Sequence, residues 1–129
     1  MAKNIIKLNR GDSYEFKVSI PDKEDITKNY ILTGTDAIYF ALLYPHQRFE
    51  DAIFIKGYDH TDHIIESGGV NTGEILIKIE PKDTRCLTPG IYYYTVKLQR
   101  GGTPGVIDDC DTVEEVRTVI DRTKFIIYN

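Results

Sequence analysis

A chain of 129 residues with a formal net charge of −4, from 20 acidic and 16 basic side chains, is the size of one domain with a core between two packed layers. Its basic residues alternate with acids rather than clustering as a phosphate-binding surface requires, which argues against nucleic acid as a partner. No run approaches the roughly 18 apolar residues of a membrane span, and the start Met1-Ala2-Lys3-Asn4-Ile5-Ile6-Lys7 is too polar for a secretory leader, so the chain is expected to be made and assembled in a cytoplasm.

Asn4 to Asn9 reads as a short first strand, closed by the turn Arg10-Gly11-Asp12. The next run, Ser13 to Ile20, alternates with strict period two: Tyr14, Phe16, Val18 and Ile20 on one face, Ser13, Glu15, Lys17 and Ser19 on the other. Pro21 to Asp25 breaks it with a charged loop, and Tyr30 to Leu32 reads as a short edge segment. Ala37 to Tyr44 is apolar on both faces, so it is expected to be a central strand covered on both sides, stopped by Pro45. Phe49 to Lys56 reads as strand, because Ile53-Phe54-Ile55 is a mix that helix propensity does not favour. Residues 58–72, polar and rich in Gly, Asp and His, read as a long exposed loop or an extended hairpin.

Gly73 to Glu80 resumes the alternation with Ile75, Ile77 and Ile79 inward, and Glu80 to Thr84 closes it. Leu87-Thr88-Pro89-Gly90 then carries the chain to a second sheet, where Tyr92, Tyr94, Val96 and Leu98 share a face. Arg100 to Gly105 reads as a wide turn and Val106 to Cys110 as an edge strand. Thr112 to Arg117 allows a helical turn, and Val119 to Tyr128 reads as a closing hairpin turning at Asp121-Arg122.

Short strands separated by Gly and Pro turns, with no stretch long enough for a crossover helix, predict one all-β domain over residues 1–129. The expected architecture is an antiparallel β-sandwich of about eight strands. At Leu87, Gly90 and Tyr92 a sheet-to-sheet corner is expected, with the Tyr92 hydroxyl tied back to the connecting backbone. Cys86 and Cys110 are too few for a metal knuckle and read as two buried thiols, although two strands could bring them together as a bridge.

The Arg10-Gly11-Asp12 opening, Ile38-Tyr39-Phe40 ahead of Pro45 and the run Asp83-Thr84…Leu87…Pro89-Gly90…Tyr92-Tyr93-Tyr94…Lys97-Leu98 resemble the small immunoglobulin-like structural proteins of tailed phages and prophages. The closing Thr118-Val119-Ile120…Arg122-Thr123-Lys124-Phe125 fits the same pattern, and the whole is similar to the N-terminal module of baseplate upper proteins. The resemblance implies an immunoglobulin-like fold and a non-enzymatic virion component of tail, baseplate or neck, assembled in the bacterial cytoplasm with other virion structural proteins and as a homo-oligomer. The alternative is a carbohydrate- or receptor-binding β-sandwich module.

Asp59, His60, Asp62 and His63 are the one constellation with metal-ligand chemistry, and His46 is the only further histidine. The pattern suits a solvated turn better than a site, so no metal or other cofactor is assigned. No nucleophile elbow or His-Glu-x-x-His pattern supports catalysis. Arg10-Gly11-Asp12 is taken as a turn rather than an adhesion motif. The expected interface residues are Tyr58, Tyr93, Ile126 and Tyr128, which fall outside the inward sets of their strands and would anchor a partner.

Overall fold

The computed structural model of the protein describes residues 5–22, 24–32, 36–59, 64–67, 70–101 and 113–129. Among them lie eight strands: β1 (Ile6–Asn9), β2 (Tyr14–Ser19), β3 (Ala37–Leu43), β4 (Phe54–Asp59), β5 (Ile64–Ser67), β6 (Val70–Ile79), β7 (Gly90–Gly101) and β8 (Val113–Tyr128). Five form one sheet in the order β1-β8-β7-β3-β4, and three form another in the order β2-β6-β5. The fold is all-β and β-sandwich-like. The chain crosses between the sheets after β1, after β2, after β4 and after β6, so each crossing falls at a polar or Gly/Pro-containing segment.

The period-two residues meet between the layers. Ile75, Ile77 and Ile79 of β6 are buried, with Tyr14, Phe16 and Val18 of β2 beside them in register. They face Ile38, Phe40 and Leu42 of β3 and Tyr92, Tyr94, Val96 and Leu98 of β7. Phe16 sets its ring edge-on to both Phe40 and Tyr94, each 5.9 Å away between centroids, and Tyr94 packs edge-on against Phe125 at 6.4 Å. Such edge geometries are the favourable ones for aromatic quadrupoles.

Burial drives the Tyr94 phenol up to about 12. Its folded value then lies above the ordinary tyrosine value, so the stabilisation is intact below about pH 10 and is lost as pH rises toward 12. Alkaline unfolding followed by circular dichroism should therefore fall in that window. The Tyr94 contribution to phenolate absorbance at 295 nm should appear together with that unfolding.

β3 is buried along its whole length, as a central strand between β7 and β4 must be. Its second face carries a separate cluster of Ala37, Tyr39, Ala41 and Leu43, covered by Phe49. The cover explains a departure from expectation. Residues Phe49–Asp51 form a short 3-10 turn rather than strand, and β4 begins only at Phe54. Phe49 is spent on covering the outer face, with Lys97 Nζ 4.5 Å above its ring.

The other departures have local causes. β1 pairs with β8 in parallel, not antiparallel, fashion. Period two fixes which face is buried but carries no information about strand direction between segments this far apart. No turn occurs at Asp121-Arg122: β8 runs for 16 residues, and its pairing with β7 carries three single-residue register shifts. The first shift falls between the pairs Tyr94–Thr123 and Val96–Ile120, so Asp121 and Arg122 together oppose Thr95 as a β-bulge. Thr112 to Arg117 is likewise not helical from Val113 onward.

Tyr30 to Leu32 forms no named strand. The segment is held by an isolated bridge between Pro21 and Asn29 and by the Tyr30 N–H to Ile20 O bond of 2.7 Å. Within residues 58–72, Tyr58 and Asp59 complete β4 and the hairpin β5–β6 supplies the rest of what is described. Val106 to Cys110 lies outside the described residues. Cys86 is exposed rather than buried.

One helical turn, α1 (Pro81–Thr84), follows β6. Proline at its first position needs no donor there, and the Asp83 carboxylate accepts the Glu80 N–H at 2.7 Å. Asp83 also pairs with Lys56 of β4 at 2.6 Å, both mostly buried, joining the two layers. Thr84 is fully buried, and its hydroxyl accepts the Gly11 N–H at 2.9 Å. Arg10-Gly11-Asp12 is thus a turn docked on α1, with Gly11 at φ 84 and the Asp12 N–H on Asn9 O.

Candidate interaction surface

The outer face of the five-stranded sheet is divided in two. Over β3 the outer face is covered by Phe49, with Ala52 packed beside it. Over β1, the end of β8 and the start of β7 no described residue plays that part, and Lys7 and Asn9 of β1, Ile91 and Tyr93 of β7, and Lys124, Ile126 and Tyr128 of β8 look outward. Register places Ile126 opposite Lys7 on one side and Ile91 on the other, and Tyr93 opposite Lys124. Ile5 is 51% exposed, Ile91 52% and Tyr128 45%, high values for large apolar side chains sharing one face. A contiguous exposed apolar patch of this kind marks an interaction site more often than scattered single residues do.

Three of the four expected interface residues come together here. Tyr128 is exposed, Ile126 half-buried, and Tyr93 half-buried against the Phe49 cluster. Tyr58 does not join them. It is only 6% exposed and belongs to the core, and its phenol oxygen accepts the Lys78 N–H at 3.3 Å. β5 pairs with β6 only as far as Ile75, so this hydroxyl serves a backbone donor on the part of β6 that β5 does not reach. Burial raises the Tyr58 phenol above its ordinary value.

Where the covered and open halves meet lies a depression of about 400 Å³ lined by Pro45, His46, Tyr93 and Arg122. The turn that builds it has Pro45 at its second position and His46 at its third with φ 66, closed by the Gln47 N–H on Tyr44 O at 3.1 Å. That is a type II turn, whose third residue is ordinarily glycine or asparagine. A histidine there accepts backbone strain while presenting its ring at the rim of the depression. Arg122 donates to Gln47 O, which ties the β8 bulge to the same turn.

The corner residues behave as a structural unit. Tyr92 is buried, and its hydroxyl donates to Thr88 O at 2.5 Å, closing the link between sheets, with Leu87 packed on the core. Tyr44 lies against the same ring at 5.5 Å. Replacing Tyr92 by Phe removes this one hydrogen bond and should cost about 0.5–1.5 kcal/mol in urea unfolding, with the fold retained.

Of the metal-ligand candidates, Asp59 ends β4, whereas His60, Asp62 and His63 lie outside the described residues. Among the described residues no group of three or more His, Cys, Asp or Glu side chains is arranged to hold a metal ion. Among them, too, no helix is long and apolar enough to cross a membrane.

Sequence reasoning missed Ile5, Lys7, Ile91 and Lys124 as parts of the surface. The signal was composition by face: the segments Ile5–Asn9, Gly90–Tyr93 and Lys124–Tyr128 contain no Asp or Glu, in a chain with 20. No protein-family model matches the chain, and neither a curated protein nor a solved structure is significantly similar to it.

Proposed function

We propose that the protein is a non-enzymatic structural component of a phage or prophage particle, in the tail, baseplate or neck. Its β-sandwich, read as an immunoglobulin-like variant, mediates assembly with other virion structural proteins and with copies of itself. The observation that carries the assembly reading is the open apolar half of the five-stranded sheet, where Ile5, Ile91, Ile126 and Tyr128 meet on one face. The sequence resemblance supplies the particle, and the tyrosine corner at Tyr92 is in keeping with the immunoglobulin-like variant. Assembly takes place in the bacterial cytoplasm.

Mass spectrometry of purified particles from the source strain tests this reading. The chain should be present at a fixed ratio to the other structural proteins, and its absence would overturn the proposal. The alternative, a carbohydrate- or receptor-binding module, draws on the depression walled by Tyr93, His46 and Arg122. A glycan array decides it: glycan binding abolished by Tyr93→Ala, in a chain absent from particles, would favour that alternative.

A further inference from the structure

We propose that the open half of this face docks an acidic segment of a partner protein, which sets apolar side chains on Ile91, Ile126 and Tyr128 and carboxylates on Lys7, Lys124 and Arg122. The inference rests on the assembly reading and names the chemistry of the partner.

Charge complementarity carries it. Lys7, Arg122 and Lys124 are all exposed, and among the described residues none of them stands within ion-pair distance of a carboxylate. Elsewhere five described cations stand in ion pairs: Lys28 with Asp25, Arg48 with Asp51, Lys56 with Asp83, Lys82 with Glu80 and Arg100 with Glu115. Among the described residues Arg10, Lys17, Lys78, Arg85, Lys97 and Arg117 do not, so lacking a carboxylate is not peculiar to this face. What sets Lys7, Lys124 and Arg122 apart is their setting: Lys7 lies beside Ile126 and Lys124 beside Tyr93 in the apolar patch, with Arg122 at the depression. Net charge −4 coexists with a patch whose segments Ile5–Asn9, Gly90–Tyr93 and Lys124–Tyr128 hold no Asp or Glu, the exposed Asp121 entering only at the bulge beside Arg122. Steered association of an acidic partner follows from that separation.

The other occupants fit less well. A second copy related by a two-fold axis would lay the same patch on itself, bringing no carboxylate from segments 5–9, 90–93 or 124–128 to Lys7 and Lys124. Self-association would need a different surface or a head-to-tail arrangement. A polyphosphate chain offers nothing apolar for Ile91 and Ile126, and as a long polyanion it is repelled by the rest of the acidic surface. A short segment bearing both carboxylates and apolar side chains satisfies both halves of the patch.

Panning a displayed random peptide library against the intact chain tests this. The proposal expects enrichment of sequences that combine Asp or Glu with Leu, Ile or Phe. A selected peptide should bind the double variant Lys7→Glu, Lys124→Glu about tenfold or more weakly, and should also lose affinity with added salt. Ile91→Thr keeps β-propensity and both charges, and should weaken the peptide by a few-fold without altering the circular dichroism. Several outcomes overturn the proposal: no enrichment, enrichment of neutral or basic sequences, or equal binding by the reversed variant. So would wild-type dimers that dissociate on charge reversal, or an oligonucleotide held through the same lysines. Failure of the particle reading is distinguishable, because it appears in the mass spectrometry of particles and leaves peptide binding untouched.

Discussion

Phe40→Ala should lower the free energy of unfolding by about 3–5 kcal/mol, the range for removing a fully enclosed aromatic ring. Phe40 is 0% exposed, and its ring stacks on Tyr94 at 5.6 Å between centroids, with Phe16 at 5.9 Å and Phe54 at 6.1 Å. These neighbours come from β7, β2 and β4, so the cavity is walled by both sheets. β3 cannot close it by sinking inward, because its opposite face is already filled by Tyr39, Ala41 and Leu43 beneath Phe49. For a domain whose total stability is on the order of 5–15 kcal/mol, the loss approaches global unfolding. Urea denaturation gives the value. A loss below about 1 kcal/mol would mean that the two layers do not meet at this ring.

Gly73→Ala is the second large effect, about 2–4 kcal/mol, from two separable sources. Gly73 has φ 77, a left-handed conformation that disfavours any Cβ. A Cβ built there would lie 2.6 Å from Asn29 Cβ and 3.2 Å from Tyr30 O, both close to the main chain and unable to swing away. Residues 29 and 30 would have to lift off β6, stretching the Asn29 Nδ2 to Thr72 O bond of 3.0 Å. Adding Asn29→Gly removes the 2.6 Å clash but keeps the 3.2 Å approach to Tyr30 O and deletes the Asn29 Nδ2 bond, so it should recover only part of the steric share, a partial rescue visible as an intermediate melting temperature. A Gly73→Ala chain as stable as the wild type would contradict the close approach of these segments.

The alternation at Tyr14–Ile20, Ile75–Ile79 and Tyr92–Leu98 was legible because one buried face imposes period two directly on the sequence. The two-sided burial of Ala37–Leu43 was legible for the same reason, since both sets of residues there are apolar. Asp121-Arg122 misled because a bulge and a turn make the same local demand, polar side chains where the ladder is interrupted. Tyr58 misled because tyrosine suits both an outer face and a core edge that needs one hydroxyl. Only the distant Lys78 N–H decides between them. The interaction face was half legible. Tyr93, Ile126 and Tyr128 declared themselves by parity, but their meeting with Ile5 and Lys7 required the parallel β1–β8 pairing, which links residues more than a hundred positions apart.

Assembly through this face separates the present account from one in which the patch is ordinary surface. In the free chain Tyr128 and Ile91 should react readily with hydroxyl radicals, as their exposure dictates. Footprinting of purified particles should show Ile91, Ile126 and Tyr128 protected relative to the free chain, while the exposed Ile26 and Ile31, away from this face, serve as the internal reference. Equal labelling of Ile91 and Tyr128 in the particle and in the free chain would contradict it.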